Sequence, residues 1–159
     1  MGEITVSIND KQWVCSIASS PIEIIQGLGG VESIEPWTGM LFDLGVDYSR
    51  IDINMGEMLF PLDIIFINSN LRVVGVLHDV QPNEEAYFIA SNSLGARYFM
   101  EVNAGEAASV EVGDVVSMQG DMQTVNIGGI IGYLLPIMVV TFGATAVIKA
   151  MGPSKPKWM

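Results

Sequence analysis

The sequence predicts a mainly β, α+β fold: a compact barrel-like or sandwich-like domain with one short helix, followed by a C-terminal helix of transmembrane type. Short apolar or alternating segments, separated by turn residues, recur over residues 1–121 and indicate seven or eight strands. One segment in that part of the chain has a clear set of helix-capping residues. Residues 122–148 contain no charged side chain, and they raise the mean hydropathy of the 159-residue chain to +0.42.

The first two strands are predicted to form a hairpin. The segment EITVSI at residues 3–8 alternates apolar and polar side chains, as a half-buried strand does. Asn9-Asp10 supplies a turn, and QWVCSI at residues 12–17 returns as the partner strand. Cys15 lies in this second strand and is expected to be a small, buried hydrophobic side chain.

A short helix is predicted to begin at the segment SPIE, residues 20–23. Ser20 can accept the first backbone N–H groups, Pro21 suits the first helical position, and Glu23 completes a capping box. Gly29-Gly30 is expected to end the helix. The apolar face of this helix is expected to consist of Ile22, Ile24, Ile25 and Leu28.

The remaining strands are predicted from apolar segments that follow in order: TGMLFDL, LDIIFI, LRVVGVL, AYFIA, ARYFMEV and VGDVVSM, with IDINM as a further candidate after TGMLFDL. Asn68-Ser69-Asn70 indicates a hairpin turn between LDIIFI and LRVVGVL, with an asparagine at positive φ. The continuous apolar runs on both sides of this turn indicate central strands that are covered on both faces. Gly113-Asp114 is the predicted turn before the last strand.

Charge is distributed unevenly along the chain. All 18 Asp and Glu residues lie at or before Asp121, together with four of the seven Lys and Arg residues, which gives residues 1–121 a net charge of −14. Such a domain repels phosphate backbones and lacks the basic stripe that nucleic-acid binding requires, so we expect no nucleic-acid partner. Residues 149–159 contain three lysines and no acid.

Five short motifs occur in the same order and at similar spacing as in a known family. They are GL at 27–28, GMLFDL at 39–44, PLDIIFIN at 61–68, ARYFMEVNAG at 96–105 and VGD at 112–114. Over about residues 20–118 the chain therefore resembles the domain of unknown function 192 family. The resemblance implies a small β-rich domain, often found beside a membrane segment, and it implies no activity.

Two stretches depart from the pattern of that family. Its members usually have an arginine before the first GL and a Met-Arg-like pair after it, where this chain has Gln26 and Gly29-Gly30. The family's Trp-Met-Lys-Asn-Thr stretch becomes Asn-Met-Gly-Glu-Met at residues 54–58, in which Met55 alone is retained. If this stretch lines a pocket shared by the family, we expect the pocket to be lost or altered here. Pro61-Leu62-Asp63 is unchanged.

Asp63 is an acid set between a proline and an apolar run, and two interpretations of it remain open. As a binding or acid–base group, it would lie in a cleft beside Pro61 and pair with Arg97 or Arg72. As a structural group, it would accept backbone N–H or arginine hydrogen bonds inside the barrel. Catalysis would require a second group, and the single histidine, His78, is expected to face solvent. We favour the structural role.

No cofactor and no metal are expected. One cysteine and one histidine cannot form a zinc site, and a single cysteine cannot form an internal disulfide. Asp43, Asp47 and Asp52 lie in an acidic stretch, but their spacing differs from that of an EF-hand calcium loop. The segment GLGG follows a helix rather than opening one, so it does not indicate a phosphate-binding loop.

Residues 127–148 form a stretch of 22 uncharged, mostly apolar residues. About 20 helical residues cross a bilayer core of about 30 Å, so we expect this stretch to insert into a membrane. Gly128 and Gly132 are spaced for close packing against another helix, and Pro136 would kink the helix. The predicted organisation is an acidic β-rich domain at 1–121, followed by a linker at 122–126, a hydrophobic helix at 127–150 and a basic tail at 151–159.

Three classes of function remain open. The first is a non-enzymatic structural or accessory subunit that is anchored or docked through residues 127–148 in a membrane or multi-subunit assembly, with protein partners or self-association and lipid contact. The second is a structural component of a phage virion. The third is a small enzyme or ligand-binding domain that uses Asp63. We favour the first, which places the protein at a membrane, on an undetermined side, or within a virion.

Overall fold

The computed structural model describes residues 2–91 and 94–120. The described residues form nine strands and one short helix, α1 (Pro21–Gln26). The strands are β1 (Glu3–Ile8), β2 (Lys11–Ala18), β3 (Thr38–Tyr48), β4 (Arg50–Asn54), β5 (Leu62–Ile67), β6 (Val73–Val80), β7 (Glu85–Ile89), β8 (Ala96–Asn103) and β9 (Val116–Gly120). The mainly β fold with one short helix is confirmed, and the segment IDINM forms a strand, β4.

Seven of the strands form one curled sheet in the order β6-β5-β8-β3-β2-β1-β9. Its ends are joined, because the backbone N–H of Val73 donates to the carbonyl of Asp114 and that of Val116 to the carbonyl of Leu71, both at 3.0 Å. These bonds give the domain its barrel-like form. Strands β4 and β7 pair antiparallel as a separate two-stranded ribbon.

The curled sheet has an apolar cluster on each of its faces. In β5 every residue is buried, with Ile65 and Ile67 in one cluster and Ile64 and Phe66 in the other. The first cluster fills the barrel, and the second lies between the outer face of the sheet and a cover made of α1, β4 and β7. The prediction that LDIIFI is covered on both faces is therefore confirmed, whereas β6 lies at the end of the strand order and is mostly part-exposed.

The start of α1 is as predicted, but its end and its apolar face are not. Ser20 is the N-cap, and it forms the capping box with Glu23. The helix ends at the cap residue Gly27, which has a φ of +49°, and not at Gly29-Gly30. Ile22 and Ile25 are 77% and 84% exposed, respectively. A helix of six residues presents little more than one stripe to the sheet. Ile24 packs there, partly buried, and the buried Leu28 follows just beyond the end of the helix.

The turn between β5 and β6 differs from the prediction in its positive-φ residue. The side-chain oxygen of Asn68 accepts hydrogen bonds from the backbone N–H of Asn70 and Arg72, both at 3.0 Å. Leu71, and neither asparagine, has the positive φ of +53°. Leu71 is buried in the barrel cluster, so apolar packing offsets the conformational cost at this position.

The described part of the chain contains no helix with the length and apolarity that crossing a bilayer requires. The predicted linker at 122–126, hydrophobic helix at 127–150 and basic tail at 151–159 lie outside the described residues. The same holds for Gly128, Gly132 and Pro136.

Candidate functional site: a cavity that ends on a buried carboxyl group

Asp63 lies on the barrel face of β5 and is fully buried. Its Oδ1 accepts the backbone N–H of Asp79, and its Oδ2 accepts the backbone N–H groups of Gly105 and Ala107, each at 2.9 Å. The carboxylate thereby ties the end of β6 and the turn after β8 to the middle of the sheet. These are the backbone N–H hydrogen bonds that the structural interpretation of Asp63 predicts.

The two arginines considered as partners of Asp63 lie elsewhere. Arg97 forms a two-bond ion pair with Asp43, at 2.9 and 3.0 Å, and Arg72 donates to the carbonyl oxygen of Gly113 at 3.2 Å. The β5–β8 register sets Asp63 opposite Val102, five residues along the strand from Arg97. Asp63 therefore has no arginine partner among the described residues, whereas a binding role for Pro61, Asp63 and Arg97 stays a prediction.

His78 is exposed, as expected, and it also lies close to Asp63. Its side chain is half exposed, and its Nδ1 lies 3.8 Å from Oδ2 of Asp63. An irregularity in the pairing of β5 with β6, where Asp79 has a φ of +52°, brings this part of β6 toward the carboxylate. A distance of 3.8 Å is longer than a hydrogen bond. Because backbone N–H groups already occupy both oxygens, the arrangement indicates a structural contact rather than an acid–base pair.

A cavity of about 380 Å³ lies on the opposite, outer face of the sheet, beneath α1 and β4. Its floor is buried and almost wholly apolar, and its rim is exposed. The buried lining consists of Leu28, Phe42, Ile51, Ile53, Met58, Phe99 and Glu101. The exposed lining consists of Ile25, Gln26, Asp52, Asn54 and Glu57.

Glu101 is the polar group of the cavity floor. It is 6% exposed, and its Oε2 has no hydrogen-bond partner among residues 2–91 and 94–120. Burial in this apolar environment raises the pKa of Glu101 to about 7. At neutral pH the group is therefore divided between a carboxylate, which only accepts hydrogen bonds, and a carboxylic acid, which also donates one.

The backbone beside Glu101 is fixed by a close approach of two strands. A Cβ atom on Gly39 would lie 2.4 Å from the carbonyl oxygen of Glu101, so only glycine fits on β3 at this point. The rings of Phe42 and Phe99 stack on the same floor, with centroids 4.2 Å apart and planes inclined by 8°. Since Phe99 and Glu101 are two residues apart on β8, their side chains project from the same face of the strand.

The polar residues at the rim of the cavity differ in their hydrogen-bond partners. Asp52 accepts hydrogen bonds from Arg50, the shortest at 2.7 Å from Nη2, and this contact lowers the pKa of Asp52. Asn54 accepts the backbone N–H of Gly56 through its side-chain oxygen, at 2.9 Å. Glu57 follows in the same loop, and its side chain lies beside Gly29 at the end of the α1 segment.

Several residues that line this cavity were noted in the sequence as departures from the family pattern, but the acid on its floor was not. Gln26 and Gly29, from one stretch that departs from the family pattern, line it together with residues 54, 57 and 58 from the other stretch. The stretch at residues 54–58 thus lines a pocket, and the residue 26–30 stretch, which was not expected to lie beside it, lines the same one. Glu101 was not singled out, although an acid in the apolar run ARYFMEV is the same kind of anomaly that drew attention to Asp63.

Residues 4–118 match the family model DUF192, which is described as "Uncharacterized ACR". The chain belongs to the DUF192 family. Two solved structures share the fold of this DUF192 domain, each at 25% sequence identity. No curated protein matches the chain.

The first of these structures is a protein of unknown function from Novosphingobium aromaticivorans, with a TM-score of 0.61 over 72% of this chain and 82% of the other. The second is a Sinorhizobium meliloti protein described as a proposed transcription regulator, with a TM-score of 0.63 over 75% of this chain and 92% of the other. A chain that consists almost entirely of this domain therefore folds without a long C-terminal extension.

Proposed function

We propose that the DUF192 domain of this chain is a non-enzymatic binding domain that holds a small, largely apolar molecule in the cavity above Glu101. The observation that supports this most directly is the buried, apolar cavity floor that contains one acid, Glu101, whose Oε2 lacks a hydrogen-bond partner among the described residues. Small-molecule sites are typically concave and apolar, with a few polar groups that orient the ligand. The volume of about 380 Å³ also lies within the usual range of such sites.

The arrangement of titratable groups favours binding over catalysis. Acid–base chemistry requires at least two groups within hydrogen-bond reach of a reacting atom. Asp63 and His78 belong to the other face of the sheet, where Asp63 is occupied by backbone N–H groups. Asp52 and Glu57 lie at the exposed rim, whereas Glu101 lies on the buried floor.

A second proposal concerns how the chain is held in place. Residues 127–148, with 22 uncharged residues after the acidic domain, support docking into a membrane or a multi-subunit assembly, through lipid contact and protein partners or self-association. Gly128 and Gly132 would allow a second helix to approach closely. The binding domain would then be an accessory module at that membrane or in that assembly, and a phage virion is the alternative setting.

Binding is tested with residues 1–120 and a neutral apolar probe, 2-phenylethanol, followed by methyl NMR. We expect saturable chemical-shift changes at Ile51, Ile53 and Met58, which line the cavity. The variant Asn54→Trp, which places an indole at the exposed rim, is expected to weaken binding about tenfold or more, or by about 1.4 kcal/mol. A probe that shifts none of these methyl groups would contradict the proposal.

A matched control separates blocking of the cavity from a general effect of an added indole. Gln12 is an exposed residue of β2, outside the cavity lining, so Gln12→Trp is expected to leave the affinity unchanged. Equal weakening by the two tryptophan variants would show that the probe binds elsewhere.

The docking proposal is tested with the full chain. We expect it to require detergent or its partners for solubility, and Gly128→Leu combined with Gly132→Leu to weaken association while the domain stays folded. Co-sedimentation with particles that contain no lipid would favour the virion setting. A full chain that is monomeric and soluble in plain buffer would refute docking through 127–148.

A further inference from the structure

We infer that the molecule bound in this cavity is an organic cation: an apolar body with an ammonium or related group that lies against Glu101. The inference rests on the proposed function, because it names the chemical class of the ligand for the same site. Charge, an unpaired buried oxygen and an aromatic floor support it independently.

The ionisable side chains around the cavity are all acidic, which favours a cation. The ionisable residues of its lining are Asp52, Glu57 and Glu101, and among the described residues no Lys, Arg or His lines it. The surrounding domain also has a net charge of −14 over residues 1–121, which raises the local concentration of cations and repels anions. A carboxylate or phosphate ligand would have to be buried here without a positive partner from the lining, which is costly.

The buried carboxyl group of Glu101 has an oxygen without a hydrogen-bond partner among the described residues. Most buried polar atoms in folded proteins have a hydrogen-bond partner, whereas Oε2 has none within residues 2–91 and 94–120. An ammonium group in the cavity would compensate the charge of this carboxylate, which lines the cavity and is otherwise enclosed by apolar side chains. The burial that makes Glu101 costly to ionise alone would strengthen its attraction to a ligand cation.

The aromatic rings on the cavity floor also favour a cation. Phe42 and Phe99 stack on one another and both line the cavity, and Phe99 projects from the same face of β8 as Glu101. A cation within about 6 Å of an aromatic ring is attracted to the ring face, and this attraction is stronger where water is excluded. An ammonium group held at Glu101 would therefore be bound by a carboxylate on one side and by phenyl rings on another.

The acids of the rim have different expected effects on such a ligand. Asp52 is already paired with Arg50, so its charge is largely compensated at the surface. Glu57 has no such arginine contact among the described residues, and it lies on the route from solvent to the floor. We therefore expect Glu57 to contribute to cation attraction at the rim and Glu101 to contribute the selective contact on the floor.

The experiment compares three probes of similar size that differ in charge: 2-phenylethylamine, 2-phenylethanol and phenylacetate. Binding to residues 1–120 is measured by NMR titration at pH 8, where the amine remains charged. We expect the amine to bind about tenfold to a hundredfold more tightly than the alcohol, the range for a hydrogen bond to a charged group. Phenylacetate is expected to bind more weakly than either.

The variant Glu101→Gln tests the origin of this preference while conserving the size of the side chain. It is expected to reduce the advantage of the amine over the alcohol to less than about threefold, with little change in affinity for the alcohol. Glu3→Gln is the matched control, since Glu3 is an exposed acid on β1 outside the cavity and its replacement removes the same charge. The control is expected to retain the full preference for the amine.

The outcomes separate this inference from the proposed function. If the alcohol binds in the cavity and the amine binds no more tightly, the cation inference is overturned and the binding function stands. If Glu101→Gln keeps the preference for the amine, Glu101 is not the cation-binding group and the inference is again overturned. If none of the three probes binds, both the inference and the proposed function are overturned.

Discussion

Replacing Asp63 with alanine is expected to destabilise the domain strongly, because the carboxylate is the acceptor for backbone groups from two distant segments. The N–H of Ala107 is in a buried hydrogen bond to Oδ2, and an unsatisfied buried donor costs about 1–3 kcal/mol. The hydrogen bonds from Asp79 and Gly105 are partly buried, so water can replace the acceptor, and each loss costs about 0.5–1.5 kcal/mol. We therefore expect a loss of about 2–6 kcal/mol, centred near about 4 kcal/mol.

The assay is urea unfolding of residues 1–120, followed by tryptophan fluorescence. Trp13 is fully buried in the barrel cluster, so its emission reports on the loss of the fold. Glu84→Ala is the matched control, because the carboxylate of Glu84 accepts one exposed backbone N–H, that of Gln81 at 2.8 Å. We expect this control to lose less than about 1 kcal/mol.

Two further results test the structural role of Asp63. Asp63→Asn retains one acceptor oxygen and introduces an NH₂ group that cannot accept a hydrogen bond, so we expect an intermediate loss of stability. If Asp63→Ala were within about 1 kcal/mol of the Glu84→Ala control, the carboxylate would not be holding the turn after β8 in place, and the structural role assigned to it would be refuted.

The remaining predictions concern burial and the end of the domain. Burial raises the pKa of Glu101 from 4.5 to about 7, so the folded state keeps this proton to a higher pH than the unfolded chain does. The free energy of unfolding should therefore fall by on the order of 3 kcal/mol as the pH rises between these two values. Glu101→Gln should remove that fall in a series of urea unfolding curves measured at different pH. Cys15 is fully buried and its pKa is raised to about 12 by burial, so iodoacetamide should not modify it in the folded protein, as mass spectrometry would show. Residues 1–120 should be soluble and monodisperse by size-exclusion chromatography; aggregation of this fragment in plain buffer would contradict the proposed domain boundary.

Local chemistry explains which parts of the fold could be predicted. The hairpin of β1 and β2 and the capping box of Ser20 and Glu23 depend on residues close together in the chain, and both agree with the structure. Gly27 ends α1 as a C-cap with a φ of +49°, and a Cβ at this position would also approach the Phe42 ring to 3.3 Å. The sequence offers Gly27, Gly29 and Gly30 as possible helix ends, and the Phe42 contact, which distinguishes Gly27, comes from a different strand.

The candidate site was less accessible to sequence reasoning for a related reason. Alternation along β8 shows that Phe99 and Glu101 share a face, but it does not show what covers that face. The cover comes from α1 and β4, and β4 belongs to a separate ribbon paired with β7. An acid in an apolar run can be held by backbone N–H groups, as Asp63 is, or left facing a cavity, as Glu101 is, and the run itself is similar in the two cases.

The most direct test of the account is a titration of the Glu101 side-chain carboxyl carbon by ¹³C NMR, in the absence and in the presence of 2-phenylethylamine. We predict a midpoint near pH 7 for the free domain, and a lower midpoint with the amine, because a bound cation favours the carboxylate. A midpoint near the ordinary value of 4.5 that the amine leaves unchanged would contradict the claim that Glu101 is the buried binding group of this cavity.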